Sequence, residues 1–305
     1  MTLPPLDEPT PIPRARPSHW RWLGVLLSGL GLWILSVVVT AVTANPNLIP
    51  TVVLLGSFLV PATAVIFYMD HNPATTLSGQ RVFFAFLYGG VLGVLAAALL
   101  EAWLLQDGPL IYVAVGLIEE LAKLIALLLV AWGIRHYSVR DGIILGTAVG
   151  FGFAAFESSG YALNALFTPN GPSLVSLVFA EVLRGILAPF GHGLWTGILG
   201  GVLFREAARR GRIRLTWAVV RTFLAVSLLH ALWDSMRGLA VFLTVLITST
   251  AAAAAQLENG RMPLTSASLT AIFLIIEVGG IVVISAVGLA MLRRAWRRSV
   301  PLLAA

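Results

Sequence analysis

Long apolar segments, separated by short polar loops, cover most of this chain. A helix needs about 20 apolar residues to cross a bilayer, and eight segments reach that length. They run roughly over 20–44, 48–69, 82–105, 110–133, 142–166, 177–204, 216–237 and 267–292. A further apolar stretch, 238–255, is shorter and rich in Ala and Thr. The pattern predicts an all-α fold, a polytopic transmembrane helix bundle of about eight spans.

The basic residues indicate which ends of these spans are cytoplasmic, because Lys and Arg concentrate in cytoplasmic loops. They cluster in the N-terminal tail and at Arg81, Arg135 to Arg140, Arg205 to Arg214 and Arg293 to Arg298. With the N-terminus inside, this alternation holds through six spans, and a cytoplasmic C-terminus then requires two more. We therefore expect 238–255 to be a re-entrant or outer peripheral helix; a ninth span would place four arginines outside.

The domain organisation that follows is simple. Residues 1–19 contain six prolines and no apolar core, so we predict a disordered cytosolic tail without a cleavable signal peptide. Residues 20–294 form one membrane-embedded helical domain, and 295–305 form a second cytosolic tail. We find no internal repeat and no soluble domain.

The composition excludes several classes of protein. Of the 305 residues, 58% are hydrophobic and only 11% are charged, against roughly 25% charged in soluble domains. The net charge of +6 is explained by cytoplasmic anchoring, so we expect the lipid bilayer, and no nucleic acid, as a partner. The chain contains no Cys, which excludes disulfides, thiolate catalysis and zinc–thiolate sites.

Charged residues inside the spans are the most informative feature, since each costs about 2.5–3.5 kcal/mol to insert and usually pairs or lines a cavity. The fourth span contains Glu119, Glu120 and Lys123. Lys123 can reach either carboxylate along the helix, at spacings of four and three residues. One glutamate can therefore pair with the amine while the other faces a neighbouring helix, as a general base requires. A structural ion pair between two helices is the alternative.

Three later spans add further polar groups. In the fifth span, Glu157 and Tyr161 lie one turn apart, and the tyrosine hydroxyl could donate to that carboxylate. The sixth span places His192 between two glycines. In the seventh span, His230 and Asp234 share a face, which suits a carboxylate that orients an imidazole, or two metal ligands.

Simpler roles remain open for several of these charges. Arg237 can hold Asp234 in an outer salt bridge, and Arg184 can pair with Glu181 on its own helix. Glu101, near the outer end of its span, needs no function. Glu277 has no local partner and either pairs with another helix or joins the site.

The depths of these residues favour one shared site. At ~1.5 Å per residue, they lie roughly 10–20 Å below the outer edge of the bilayer. Independent ion pairs are not expected to lie at the same depth in the bilayer. We therefore expect acidic and imidazole groups from four helices to meet in the outer half of the bilayer.

The motifs resemble those of the PrsW family of intramembrane proteases. Glu119, Glu120 and Lys123 match its EExxK motif, and Phe156 to Tyr161 match FExxxY. The segments that begin at His192 and His230 are similar to its two histidine motifs, and all four occur in order over roughly residues 110–237. The CAAX prenyl endopeptidases, with an EExxxR opening, are more distant. The resemblance implies a hydrolase that cleaves peptide bonds in or beside the membrane and that is classified as a metalloprotease.

The resulting hypothesis is water-mediated hydrolysis of a membrane-anchored protein near the outer leaflet of a bacterial cell membrane. Either Glu119 or Glu120 acts as the general base, and Lys123 balances the charge of the other. His192 and His230 hold a divalent metal, zinc, with Glu157 as third ligand, or donate to the oxyanion without a metal. Asp234 orients His230. The predicted catalytic set is therefore Glu119, Glu120, Lys123, Glu157, His192, His230 and Asp234. A proton-coupled transporter and a non-catalytic scaffold are the alternative functions.

Overall fold

The computed structural model describes residues 20–72, 75–108, 110–248 and 267–297, and almost all of them are helical. The helices are α1 (Arg21–Thr43), α2 (Ile49–Asp70), α3 (Gly79–Leu104), α4 (Ile111–Val130), α5 (Val139–Leu166), α6 (Leu174–Leu187), α7 (His192–Arg210), α8 (Trp217–Thr248) and α9 (Ala267–Arg297). Short 3₁₀ turns cover Pro46–Leu48 and Ala188–Phe190. A two-residue hairpin pairs Phe167–Thr168 with Gly171–Pro172 after α5.

Seven helical segments in the described ranges are long and apolar enough to cross a membrane, with α6 and α7 together forming one of them. The remaining helix, α4, is 20 residues long and carries the three charged residues of the EExxK motif. It packs against α3, α5 and α8 inside the bundle. The predicted all-α transmembrane bundle is therefore confirmed.

The sixth predicted span, 177–204, is not one continuous helix. It is interrupted by the 3₁₀ turn at Ala188–Phe190 and by Gly191, and α7 begins at His192. Pro189 cannot donate a backbone hydrogen bond, so the helical hydrogen-bond pattern is interrupted at this turn. Such a break inside a membrane is tolerated where protein or a water-filled cavity surrounds it.

The prediction of a separate element at 238–255 was wrong for its first part. Residues 238–248 continue α8, which is a single helix of 32 residues, and 249–255 lie outside the described residues. One glycine, at position 238, opposes the helix by only about 1 kcal/mol, which is too little to end it. The C-terminal helix likewise continues to Arg297, beyond the predicted boundary at 294, and both predicted tails lie otherwise outside the described residues.

Helix α5 is the centre of the bundle and makes close contact with α7. Gly142, Gly146 and Gly150 occur at intervals of four residues and face the backbone of α7. A Cβ atom at Gly146 would lie 2.3 Å from the carbonyl oxygen of Thr196, and one at Gly150 would lie 2.2 Å from that of His192. Small residues at this spacing let helix backbones approach closely in membranes. The glycine face therefore fixes the distance between α5 and the start of α7.

We expect the Gly146→Ala substitution to lower the free energy of unfolding by about 1–3 kcal/mol, because the methyl group forces α5 and α7 apart. Gly160→Ala in the same helix is the matched control, since nothing lies within 4 Å of its added Cβ. There the substitution should leave stability unchanged or raise it by up to about 1 kcal/mol. Thermal unfolding in detergent micelles measures both, and equal effects at the two positions would contradict the close packing of α5 and α7.

Candidate active site

The charged residues of α4 form a compact ion cluster inside the bundle. The Lys123 ammonium donates to Glu120 Oε1 at 2.7 Å and to Glu119 Oε2 at 3.3 Å. The side chains of Lys123 and Glu120 have no exposed surface, and that of Glu119 is 9% exposed. The i+3 and i+4 spacings of the sequence thus produce the predicted pairing, and Lys123 contacts both carboxylates rather than one.

Helix α8 brings His230 against this cluster. Its Nδ1 lies 3.1 Å from Glu120 Oε1, and its Nε2 lies 3.2 Å from Asp234 Oδ2 and 3.6 Å from Glu119 Oε2. The contact between His230 and Asp234 matches the one predicted from their spacing of four residues. The imidazole therefore has a carboxylate at each ring nitrogen, and its orientation is fixed by two helices.

His192 is the first residue of α7, directly after the break in the span. Its Nδ1 accepts a hydrogen bond from the Lys123 ammonium at 2.7 Å, and its Nε2 lies 3.1 Å from Glu157 Oε2. Its ring centroid is 4.9 Å from that of His230. The break and the close approach of Gly150 to its backbone thus bring this imidazole to the same point as the residues of α4 and α8.

Glu157 pairs with Arg184, for which the sequence had suggested Glu181 as the partner. The Arg184 guanidinium donates to Glu157 Oε2 at 2.5 Å and to Ser158 Oγ at 2.8 Å, and it lies 4.2 Å from the Tyr161 ring centroid. The pairing of Arg184 with Glu181 that the sequence left open is therefore not formed. Glu181 accepts instead from Trp33 Nε1 at 2.8 Å, because it points from α6 toward α1 while Arg184 points toward α5.

Three further polar side chains, Tyr161, Arg237 and Glu277, lie outside the ion cluster. The Tyr161 hydroxyl was a possible donor to Glu157, but a guanidinium takes that place. Within the described residues Arg237 forms no ion pair, and Asp234 contacts His230 instead. Glu277 in α9 is not among the residues of the ion cluster.

A cavity of about 460 Å³ adjoins the cluster. Its polar lining consists of the carboxyl groups of four residues and two tyrosines, namely Glu101, Glu119, Glu157, Asp234, Tyr112 and Tyr161. Glu120 and Lys123 do not line it. Glu101 Oε1 is buried and has no hydrogen-bond partner among the described residues, so the residue to which the sequence gave no function faces the same cavity. No spacing signal links Glu101 to the motifs, because α3 reaches the cavity only through helix packing.

The residues with converging metal-donor atoms differ in one member from the set that the sequence predicted. One donor atom each from Glu119, His192 and His230 lies within 4.8 Å of the others, whereas Glu157 is held by Arg184 beside His192. Glu119 Oε2 is 3.9 Å from His192 Nδ1 and 3.6 Å from His230 Nε2. A tetrahedral zinc ion requires donor atoms roughly 3.3 Å apart, from bonds of about 2.0–2.1 Å. Two imidazole nitrogens and one carboxylate are a donor set that suits such an ion, but both separations are longer than this value and His192 Nδ1 accepts from Lys123, so binding would require Lys123 to release that nitrogen.

Comparisons with known proteins agree with the motifs. The sequence profile described as PrsW family intramembrane metalloprotease matches residues 78–256. The protease PrsW of Halalkalibacterium halodurans is 29% identical over 192 residues, which cover 60% of this chain and 82% of that protein. No solved structure matches the chain. The transporter and scaffold alternatives are not favoured by these similarities.

We expect Lys123→Met to lower the free energy of unfolding by about 3–5 kcal/mol, because it leaves Glu120 buried without its cation. The double variant Lys123→Met/Glu120→Gln should recover part of this loss, since no unpaired charge remains. Arg237→Met is the control, as Arg237 is exposed, and it should have little effect. A single Lys123→Met variant as stable as wild type in detergent would contradict the ion cluster.

Proposed function

Because this chain belongs to the PrsW family of intramembrane proteases, we propose that it hydrolyses a peptide bond of a membrane-anchored protein in the cavity lined by Glu119, Glu157 and Asp234. A member of this family is a peptidase, so its substrate is a protein. Its apolar helices imply that it lies in a lipid bilayer. One observation carries the proposal. Two imidazoles and four carboxylates from α4, α5, α7 and α8 meet beside a cavity inside an apolar bundle, where unpaired polar groups are costly.

The geometry favours Glu119 over Glu120 as the general base. Glu119 lines the cavity and is held by Lys123 only at 3.3 Å. Glu120 is fully buried, contacts Lys123 at 2.7 Å and His230 at 3.1 Å, and does not line the cavity. A base must come within hydrogen-bonding distance of the water that it deprotonates, so Glu119 takes this role. Glu120 and Lys123 then position Glu119 and the two imidazoles.

The two histidines stabilise the oxygen that becomes negative as the tetrahedral intermediate forms, by donating an N–H group to it. Neither imidazole lines the cavity, and each ring nitrogen contacts a protein group, so a ring must exchange one of these contacts for the oxygen. Asp234 contacts Nε2 of His230, and Glu157 contacts Nε2 of His192. Arg184 holds Glu157 in place, so it is a positioning residue.

A zinc ion would be held by Glu119, His192 Nδ1 and His230 Nε2, with Glu157 and Glu120 at the opposite ring nitrogens as the carboxylates that orient the imidazoles. In that route Glu119 would be a ligand rather than the general base. When bound, such an ion lowers the pKa of coordinated water to about 7 and polarises a carbonyl group. This assignment replaces Glu157 by Glu119 in the predicted ligand set.

We also propose that cleavage occurs on the outer side of a bacterial cell membrane, with the N-terminus in the cytoplasm. Glu119 and Glu157 lie roughly 12–14 Å from the ends of α4 and α5 that adjoin the cavity, at ~1.5 Å per residue. The loops at these ends, 105–110 and 167–173, contain no Lys or Arg. Basic loops lie at the opposite ends, which is typical of the cytoplasmic side.

We expect Glu119→Gln to reduce proteolysis by about 10²–10⁴-fold, because the amide cannot accept the proton of water. Glu277→Gln is the matched control, a glutamate of a membrane helix outside the ion cluster, and it should retain activity. New N-termini in membrane proteins of cells that express each variant provide the readout, together with thermal unfolding to verify folding. Full activity of a folded Glu119→Gln variant would overturn the assignment of the base.

We expect the wild-type protein to bind about one zinc ion per chain in equilibrium dialysis, as a site with three protein ligands does. His230→Ala and Glu119→Gln should abolish binding, whereas Glu157→Gln should weaken it by about 10–100-fold, as a carboxylate that only orients a ligand does. Glu277→Gln should bind as wild type does. Retained affinity in His230→Ala, or cleavage that persists in metal-free protein with chelator, would refute the zinc assignment and leave the metal-independent route.

A further inference from the structure

A second polar cavity lies at the other end of the bundle, between α7, α8 and α9. Its volume is about 390 Å³, and its lining includes Arg205, Arg221 and Arg294, one arginine from each helix. We call this cavity the basic pocket. The three helices pack against one another, so their arginines converge through the tertiary fold rather than through any sequence motif.

The basic pocket lies near helix ends and away from the active site. Arg205 is five residues before the end of α7, Arg221 four after the start of α8 and Arg294 three before the end of α9. Along α7, Arg205 is thirteen residues from His192, or roughly 20 Å at ~1.5 Å per residue. Trp217, at the start of α8, is 67% exposed, and tryptophans are enriched where helices leave the hydrocarbon core. These positions place the pocket at the membrane interface.

The positive charge of the pocket is only partly balanced by the described residues. No carboxylate is among its lining residues. Arg205 Nε is buried without a hydrogen-bond partner, and the nearest carboxylate oxygen, from Glu206, is 3.6 Å away. Glu206 also lies within 4 Å of Arg209 and Arg210, so several guanidinium groups share one carboxylate. In the described part of the chain, Arg221 and Arg294 form no ion pair.

The remaining walls of the pocket are apolar except for Thr222. Ile198, Val202 and Met291 line it together with alanines. A soluble anion would leave these side chains uncovered, whereas a phospholipid presents a phosphate group and a hydrocarbon chain next to each other. Basic pockets between transmembrane helices at one side of the bilayer are suited to anionic lipid headgroups.

We propose that the basic pocket binds the phosphate group of an anionic glycerophospholipid. The guanidinium groups donate charge-assisted hydrogen bonds to the phosphate oxygens. An acyl chain of the same lipid covers Ile198, Val202 and Met291. The site is independent of the proteolytic reaction, since none of its residues belongs to the predicted catalytic set.

The test is a titration of the full-length protein in detergent with short-chain phosphatidylglycerol or phosphatidylcholine, followed by native mass spectrometry. Wild type should bind phosphatidylglycerol at least about tenfold more tightly than phosphatidylcholine, as expected when several arginines contact one anionic headgroup. The variant Arg205→Gln/Arg221→Gln/Arg294→Gln should lose this preference.

The control variant is Arg209→Gln/Arg212→Gln/Arg214→Gln, which removes the same charge at the same end of the bundle but outside the pocket, and it should keep the preference. If the first variant does not fold, Arg221→Gln/Arg294→Gln replaces it, because both side chains are exposed. A preference that survives in the folded pocket variant, or is lost equally in the control, overturns the proposal. Inorganic phosphate that competes as tightly as the lipid would also overturn it, because the pocket would then bind a soluble anion.

Discussion

The burial of the Lys123 ammonium is the constraint on which the centre of this structure depends. An amine with no exposed surface is tolerated only if carboxylates or other acceptors surround it. Its contacts with Glu119, Glu120 and His192 meet this need and connect α4 to α7. Through Glu120 the same cluster reaches His230 in α8. A displacement of any one of these helices would leave a buried charge without its partner, so the cluster sets their relative positions.

The glycine face of α5 allows α7 to begin close to the site. A hydrogen bond from Lys123 to His192 at 2.7 Å is possible only if α7 begins close to the bundle axis. Gly150 allows the backbone of His192 to approach α5, and the break at 188–191 permits α7 to begin there. Dense packing and an interrupted helix thus combine to place an imidazole inside the membrane. The neighbouring cavity provides room for water and substrate, as hydrolysis requires.

The two ends of the bundle differ in charge, and this difference relates the site to the membrane. Carboxyl groups line the cavity beside α4 and α5, whereas arginines line the pocket between α7, α8 and α9. Under the proposed topology, the acidic cavity lies toward the outer face and the basic pocket at the cytoplasmic face.

The sequence alone determined the fold class, the approximate spans and the polar contacts within single helices. The pairs Glu119–Lys123 and His230–Asp234 follow from the regular geometry of an α-helix, in which residues four apart share a face whatever surrounds them. Only the tertiary structure decided the contacts between helices: Arg184 with Glu157 rather than Glu181, Glu119 with the two histidines, and Glu101 at the cavity. These contacts depend on how each helix is rotated and shifted against its neighbours, and that is determined by the packing of side chains over the whole bundle rather than by spacing along one helix.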